Sequence, residues 1–249
     1  MFRFETINNK RIMKSEIIKG CECFFTTRES VVTAKDLKNL EKSAQENLAQ
    51  IADYLGVQQD NIIIPQQTHS CNISIAQKGQ IYLNTDALVT DRADIALLLN
   101  FADCTPVIIY DEIKNIGAVA HAGWRGTAQS IVAKTVRFMN EQYKTEPSDI
   151  SAIIGPAISM KNYQVDENVY KQIKATLNND YDDYYTYDST CNKYNIDLKT
   201  VNEHQLEELG VKRIDKCKYC TYDSNDIFFS YRKESGITAR HSAILKLIK

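Results

Sequence analysis

The 249-residue chain has 30 basic and 32 acidic residues, a formal net charge of −2, and hydrophobic residues make up 43% of it. This charge balance excludes the strongly basic surface typical of nucleic-acid binding. Its longest apolar run, residues 95–99, is too short to span a membrane, and residues 1–20 contain no apolar signal sequence. We therefore expect a cytoplasmic protein with a sizeable core.

The first half of the chain predicts one helix followed by a group of strands. Residues 36–55 repeat apolar side chains every three or four positions and precede Gly56, which indicates an amphipathic helix. Short apolar and β-branched runs then alternate with polar turns, a pattern typical of a sheet built largely from hairpins. The expected strands are residues 61–65, 71–76, 86–90, 95–99, 106–111 and 116–122.

The second half predicts helices and strands in alternation. A helix is expected over residues 127–143, with Thr127 as its N-cap. Residues 178–195, rich in tyrosine and aspartate but without a period, indicate a solvated surface loop. Two further helices (166–177 and 198–209) and four strands (within 146–158, then 212–216, 227–232 and 242–248) are expected. With no repeat and no linker, the pattern predicts one α+β domain over residues 1–249, a mixed α/β sheet with flanking helices.

Candidate metal ligands stand where three apolar runs give way to polar sequence: His69, Cys104 and His121. If these strands are neighbours in one sheet, two imidazoles and a thiol converge. That donor set suits Zn²⁺ and leaves one coordination position for water or substrate. The spacing matches no compact metal motif, so convergence depends on the assumed sheet.

Two alternatives remain open for the same side chains. In the first, a buried thiol packs near two histidines that hydrogen bonds satisfy. In the second, Cys104 is a nucleophile, His121 its base and Asp103 the group that orients the base.

Residues 122–128, AGWRGTA, predict an anion site beside His121. Gly123 and Gly126 permit close approach of the backbone, and Arg125 offers a fixed fork of donors. A helix beginning near Thr127 would add free N–H groups. Phosphate or a substrate carboxylate is the expected ligand.

Six segments occur in the same order as in the YfiH/LACC1 family, and the chain resembles that family from about Phe25 to its C-terminus. The segments are QQTHS, TDALVT, ADCTPV, AVAHAGWRGT, IIGPAIS and CTYDSNDIFFSYRKESGITAR. The family was formerly described as multicopper polyphenol oxidases and is now described as purine nucleoside phosphorylases. One segment departs: where relatives usually have HGFSTRxGGVS, this chain has CFFTTRESVV, with Cys23 for the histidine and no paired glycines, although Arg28 is kept.

The resemblance implies the family's own single-domain fold and a zinc ion, with copper as the alternative, bound by His69, Cys104 and His121. It implies phosphorolysis of adenosine, inosine and S-methyl-5′-thioadenosine, and deamination of adenosine. Copper-dependent oxidation of phenols and amide hydrolysis of peptidoglycan precursors by a Cys–His enzyme are the alternatives. Purine nucleosides and phosphate are then the expected partners, with a homodimer as the candidate assembly.

Residue roles follow from these reactions. Arg125, Gly126 and Thr127 would bind phosphate, and Arg232 would add a second positive group. Asp103, next to Cys104 in sequence, is the candidate for proton transfer. Trp124 or Tyr231 would stack on the purine.

Overall fold

The computed structural model describes residues 1–32, 41–236 and 238–248, and two six-stranded sheets form its centre. The first sheet has the order β1 (Phe2–Ile7), β2 (Lys10–Ser15), β3 (Cys21–Thr26), β15 (His241–Leu247), β7 (Ala96–Phe101), β4 (Ile62–Ile63). The second has the order β14 (Arg213–Lys216), β10 (Ile150–Ile154), β8 (Thr105–Asp111), β9 (Ile116–Ala122), β6 (Ala87–Thr90), β5 (Ile73–Ile75). Both sheets are mixed, since most pairs are antiparallel while β4·β7, β5·β6 and β10·β14 are parallel.

The two sheets stack on each other because alternate side chains of a strand point to opposite faces. In β7, Leu97 and Leu99 enter a core shared with Ile108 of the second sheet. Ala96 and Leu98 point the other way, onto helix α1 (Glu41–Leu55). Helices α3 (Ile131–Tyr143) and α5 (Leu198–Glu207) cover the outer face of the second sheet. The layers are therefore helix, sheet, sheet, helices.

A small third sheet lies beside this stack. Its order is β11 (Gln164–Val165), β13 (Lys193–Ile196), β12 (Tyr185–Asp188), and helix α4 (Glu167–Lys174) packs on it. Trp124, in the one-turn helix α2 (Trp124–Thr127), packs against the same apolar cluster. The third sheet thus positions the segment that follows β9.

The α+β class and the six central strands are confirmed, whereas one predicted loop and one predicted strand are wrong. Residues 178–195 are not a solvated loop: they contain β12 and most of β13, and the adjoining Tyr184 is 1% exposed. Residues 227–232 form turns instead of a strand. The start of the first predicted helix, residues 36–40, lies outside the described residues. Among the described helices, none has the length and apolar character needed to cross a membrane.

Candidate metal and anion site

His69 and Cys104 both lie in segments that cross from the first sheet to the second. His69 is in the connection between β4 and β5, and Cys104 is in the short connection between β7 and β8. The prediction of one shared sheet is therefore wrong. The side chains nevertheless meet, because both crossings pass the end of β9, which carries His121: the ligand atoms of the three residues all lie within 4.8 Å of one another.

A fully buried carboxylate, Asp86, organises both histidines. Its Oδ1 accepts hydrogen bonds from the His69 backbone N–H (3.0 Å) and from His121 Nδ1 (2.8 Å). Its Oδ2 accepts from the backbone N–H groups of Thr68 (3.1 Å) and Ser70 (2.7 Å) and from the Ser70 hydroxyl (2.6 Å). These bonds hold His69 in a left-handed conformation, with φ of 62°, that non-glycine residues seldom adopt.

The Asp86 bond also fixes which nitrogen of His121 can bind a metal. With Nδ1 donating to the carboxylate, Nε2 is left with its lone pair, the usual arrangement of a metal-binding histidine. Burial opposes ionisation of Asp86, but hydrogen bonds from His121 and Ser70 outweigh it and hold its pKa well below the usual range.

Cys104 and His121 form a coupled acid–base pair. Burial opposes ionisation of the thiol, but the charge of His121 and hydrogen bonds from His121 and His69 lower the pKa of Cys104 to about 6. Burial likewise opposes protonation of His121, but the Cys104 thiolate and Asp86 raise its pKa to about 9. The site is thus built to hold a thiolate near neutral pH, which is the form that binds metals or attacks as a nucleophile.

Gly123 is required because a side chain there would enter the ligand cluster. A β-carbon at this position would lie 2.9 Å from Cys104 Sγ and 3.1 Å from His69 Cδ2. If the three residues bind a metal, we expect Gly123→Ala to weaken its binding about tenfold or more by displacing these ligands, as measured with zinc by competition with a chromophoric chelator. Gly79→Asn is the control, because an added β-carbon meets no atom within 4 Å there and asparagine tolerates its φ of 74°. Equal zinc affinity in the two variants would show that a methyl group at residue 123 does not displace the ligands.

A cavity of about 780 Å³ opens above the three candidate ligands. It lies between the carboxyl end of β9, the 64–69 connection and the turns after residue 230. Its lining residues are Pro65, Gln66, Gln67, His69, Asn100, Ala102, Asp103, Cys104, His121, Trp124, Arg125, Ile158, Tyr163, Leu198, Tyr231, Arg232, Gly236, Thr238 and Arg240. This volume suits a small molecule.

Both predicted anion-binding arginines, Arg125 and Arg232, line this cavity. The exposed guanidinium of Arg125 lies 4.4 Å from the ring of Trp124, and that of Arg232 lies 5.3 Å from the ring of Tyr163. Burial and the Cys104 charge raise the pKa of Tyr163, while the charges of both arginines oppose the rise. Both guanidinium groups therefore act on the same phenol through their charge.

Gly126 and Thr127 do not line the cavity, contrary to the predicted anion site. Thr127 ends α2 instead of capping a helix, and its buried hydroxyl accepts a hydrogen bond from Asn202 (3.1 Å). Gly126 packs against the backbone of His121. The predicted helix begins later, at Ile131, so its N-terminus is not at the site.

Asp103 lies in the cavity wall with both carboxylate oxygens occupied. Oδ1 accepts from the Thr221 hydroxyl (2.6 Å) and Oδ2 from the backbone N–H of Arg232 (2.7 Å). Asp103 therefore links the turn that contains Arg232 to the connection between β7 and β8. These bonds position Arg232 in the cavity.

Sequence reasoning missed three residues of the site. Asp86 occurs in a quoted motif, TDALVT, and immediately precedes β6, but a carboxylate that accepts backbone N–H groups leaves no periodic signal. Tyr163 and Arg240 are brought to the cavity by segments whose fold is irregular. Arg240 ends the quoted segment CTYDSNDIFFSYRKESGITAR, whereas Tyr163 lies outside every quoted motif.

Comparison with known proteins identifies relatives over nearly the whole chain. Residues 23–248 match the family model described as multi-copper polyphenol oxidoreductase laccase. Purine nucleoside phosphorylase YlmD of Bacillus subtilis is 31% identical, over 94% of this chain and 87% of its own length. Adenosine deaminase RL5, from an unknown prokaryotic organism, is also 31% identical, over 87% of this chain and 90% of its own length.

Solved structures agree with the fold. The crystal structure of YlmD from Geobacillus stearothermophilus superimposes with a TM-score of 0.89 at 26% identity, and the match covers 99% of each chain. That of the hypothetical protein YfiH from Bacillus licheniformis gives 0.87 at 27% identity, over 98% of this chain and 99% of the other. The resemblance seen in the sequence motifs is confirmed.

Proposed function

We propose that the chain is a zinc-dependent purine nucleoside phosphorylase that also deaminates adenosine. It belongs to the YfiH family, whose model is described as multi-copper polyphenol oxidoreductase laccase. Its substrates would be adenosine, inosine and S-methyl-5′-thioadenosine, with phosphate as the second reactant. The names of YlmD and RL5 support the two activities.

One observation carries the proposal: His69, Cys104 and His121 converge in the wall of a cavity that arginines also line. The donor set fits zinc, because a thiolate and two imidazoles are ligands that zinc prefers and three of them leave one position open. Bound there, zinc would supply Lewis-acid activation of water for the deamination.

In phosphorolysis, a phosphate oxygen attacks C1′ of the ribose as the bond from C1′ to the purine nitrogen breaks, and the departing base takes up a proton. Arg125 and Arg232 would bind and orient the phosphate, since guanidinium groups match its geometry. Trp124 and Tyr231 offer aromatic surfaces for the purine.

Asp103 would act on the reaction in two ways. Its bond to the Arg232 backbone positions that side chain for the phosphate. Its carboxylate also lines the cavity, where it would move the proton that deamination requires at the purine. Asp103 is placed for both roles because it directly precedes Cys104, a proposed metal ligand in the same cavity wall.

A second candidate function is favoured by the ionised thiol. With its pKa lowered to about 6 beside His121, Cys104 has the properties of a nucleophile in a Cys–His hydrolase acting on an amide. That enzyme would need no metal. Metal dependence therefore separates the two candidates.

The test combines metal analysis with an assay of inosine and phosphate. We expect about one zinc ion per chain and hypoxanthine release that requires phosphate. Alanine variants of His69, Cys104 and His121 should each lose both zinc and activity, because each removes one of three ligands. Cys191→Ala, at an exposed thiol, is the matched control.

The other outcomes decide against the proposal. Full activity in metal-free protein would overturn the zinc enzyme, and hydrolysis of an amide by that protein would support the Cys–His hydrolase. Copper in place of zinc, with oxidation of a phenol and no phosphate-dependent release of base, would identify an oxidase.

A further inference from the structure

Three arginines line the cavity, Arg125, Arg232 and Arg240, yet the proposed reaction uses only two. Within the described parts of the chain, none of them has a carboxylate at ion-pair distance, and the one acidic lining residue, Asp103, directs its oxygens to Thr221 and to a backbone N–H. The cavity therefore has more positive charge than one phosphate subsite accounts for.

Arg240 contacts a different aromatic ring from either of the other two arginines. Its guanidinium lies 5.8 Å from the ring of Tyr231, and its Nη1 donates to the carbonyl oxygens of Thr238 (2.6 Å) and Ala239 (3.0 Å). Arg232 instead lies beside the ring of Tyr163, and Arg125 lies beside the ring of Trp124. The two carbonyl bonds occupy one guanidinium nitrogen and leave Nε and Nη2 for a ligand.

A nucleoside is uncharged, so it gives Arg240 no anion to bind. In a β-ribonucleoside, C5′ projects from C4′ on the ring face opposite to the one that phosphate attacks at C1′. When Arg125 and Arg232 hold the attacking phosphate, a substituent on C5′ therefore points away from these two arginines. A phosphate ester on C5′ needs a second guanidinium, and Arg240 is the lining cation that remains.

We propose that Arg240 forms a second anion subsite and that the cavity binds nucleoside 5′-monophosphates, with the 5′-phosphate on Arg240. This inference rests on the proposed function, because the nucleoside is placed by its reaction with phosphate at C1′. The protein would then bind nucleotides in competition with nucleosides.

Equilibrium dialysis of the zinc-loaded protein in phosphate-free buffer against inosine and inosine 5′-monophosphate, which have no amino group to be removed, tests the subsite directly. We expect the monophosphate to bind about tenfold tighter than inosine. In Arg240→Gln this advantage should disappear, while Arg240→Lys should restore part of it. Arg137→Gln, at an exposed arginine of α3 outside the cavity, should keep the whole advantage.

The ratio of the two affinities separates binding from folding, since a structural defect in Arg240→Gln would weaken both ligands equally. Equal weakening, or a monophosphate that binds no tighter than inosine in the wild type, would overturn the inference. So would loss of the advantage in Arg232→Gln with none in Arg240→Gln, because the ester would then occupy the first subsite. Phosphorolysis of adenosine, assayed separately, reports on the proposed function: its absence would refute that function whatever the dialysis shows.

Discussion

Asp86→Asn is expected to bind zinc about 10 to 100 times more weakly than the wild type, although Asp86 itself would not bind the zinc. An asparagine has the shape of aspartate but only one acceptor oxygen. If its amide nitrogen takes the Oδ1 position, it faces the donors of His69 and His121, and His121 must move its proton to Nε2, the nitrogen left for the metal. In the opposite orientation, it faces the N–H groups of Thr68 and Ser70 and displaces the His69 segment.

The same change should destabilise the metal-free protein by about 3 kcal/mol, because buried donors lose their partner. Asp94→Asn is the control: Asp94 is half-exposed and pairs with Arg92 at 2.6 Å, so it should change stability by less than about 1 kcal/mol and leave zinc affinity unchanged. Urea unfolding and chelator competition measure the two effects. Wild-type zinc affinity in folded Asp86→Asn would show that Asp86 does not position the ligands.

The ligand set was predictable because each member stands at a visible junction between apolar and polar sequence. Their meeting place was not, because it depends on how the chain moves between sheets. His69 and Cys104 belong to connections that leave the first sheet and enter the second. Hydrophobic alternation identifies a strand with its two faces, but it does not tell which sheet the strand joins.

The errors at residues 227–232 have a similar origin. The composition of IFFSYR is typical of a strand, but bonds from distant residues hold the segment in turns. The Glu234 carboxylate accepts from Arg28, 2.8 Å away, and from the Ser230 backbone N–H, while Asp103 accepts from Arg232. Arg28, which is kept from the family motif, thus braces a wall of the cavity. Tertiary bonds of this kind override local propensity.

A second large effect is expected at His241, where the fold buries a histidine that it cannot protonate. His241 opens β15, is fully buried, and lies near the rings of Phe101 and Phe228. Burial, with the charges of Arg240 and Arg28, lowers its pKa from 6.5 to about 3. Above pH 6.5 the side chain is neutral in both folded and unfolded chains, so its stability contribution is complete there.

Between pH 6.5 and 3, the unfolded chain takes up a proton that the folded protein excludes, so the free energy of unfolding should fall by about 1.4 kcal/mol per pH unit from this group. His241→Leu removes that proton, and its stability relative to the wild type should rise as the pH is lowered from 7 to 5.

His204→Gln should behave oppositely. Although burial opposes protonation of His204, its bonds to Asp183 and Glu207 raise the pKa, so protonated His204 stabilises the fold below pH 6.5 and the variant loses most there. Urea midpoints at pH 5, 6, 7 and 8, with chelator present, measure both trends. A pH-independent difference in stability between His241→Leu and the wild type would mean that His241 is protonated in the folded protein as readily as in the unfolded chain.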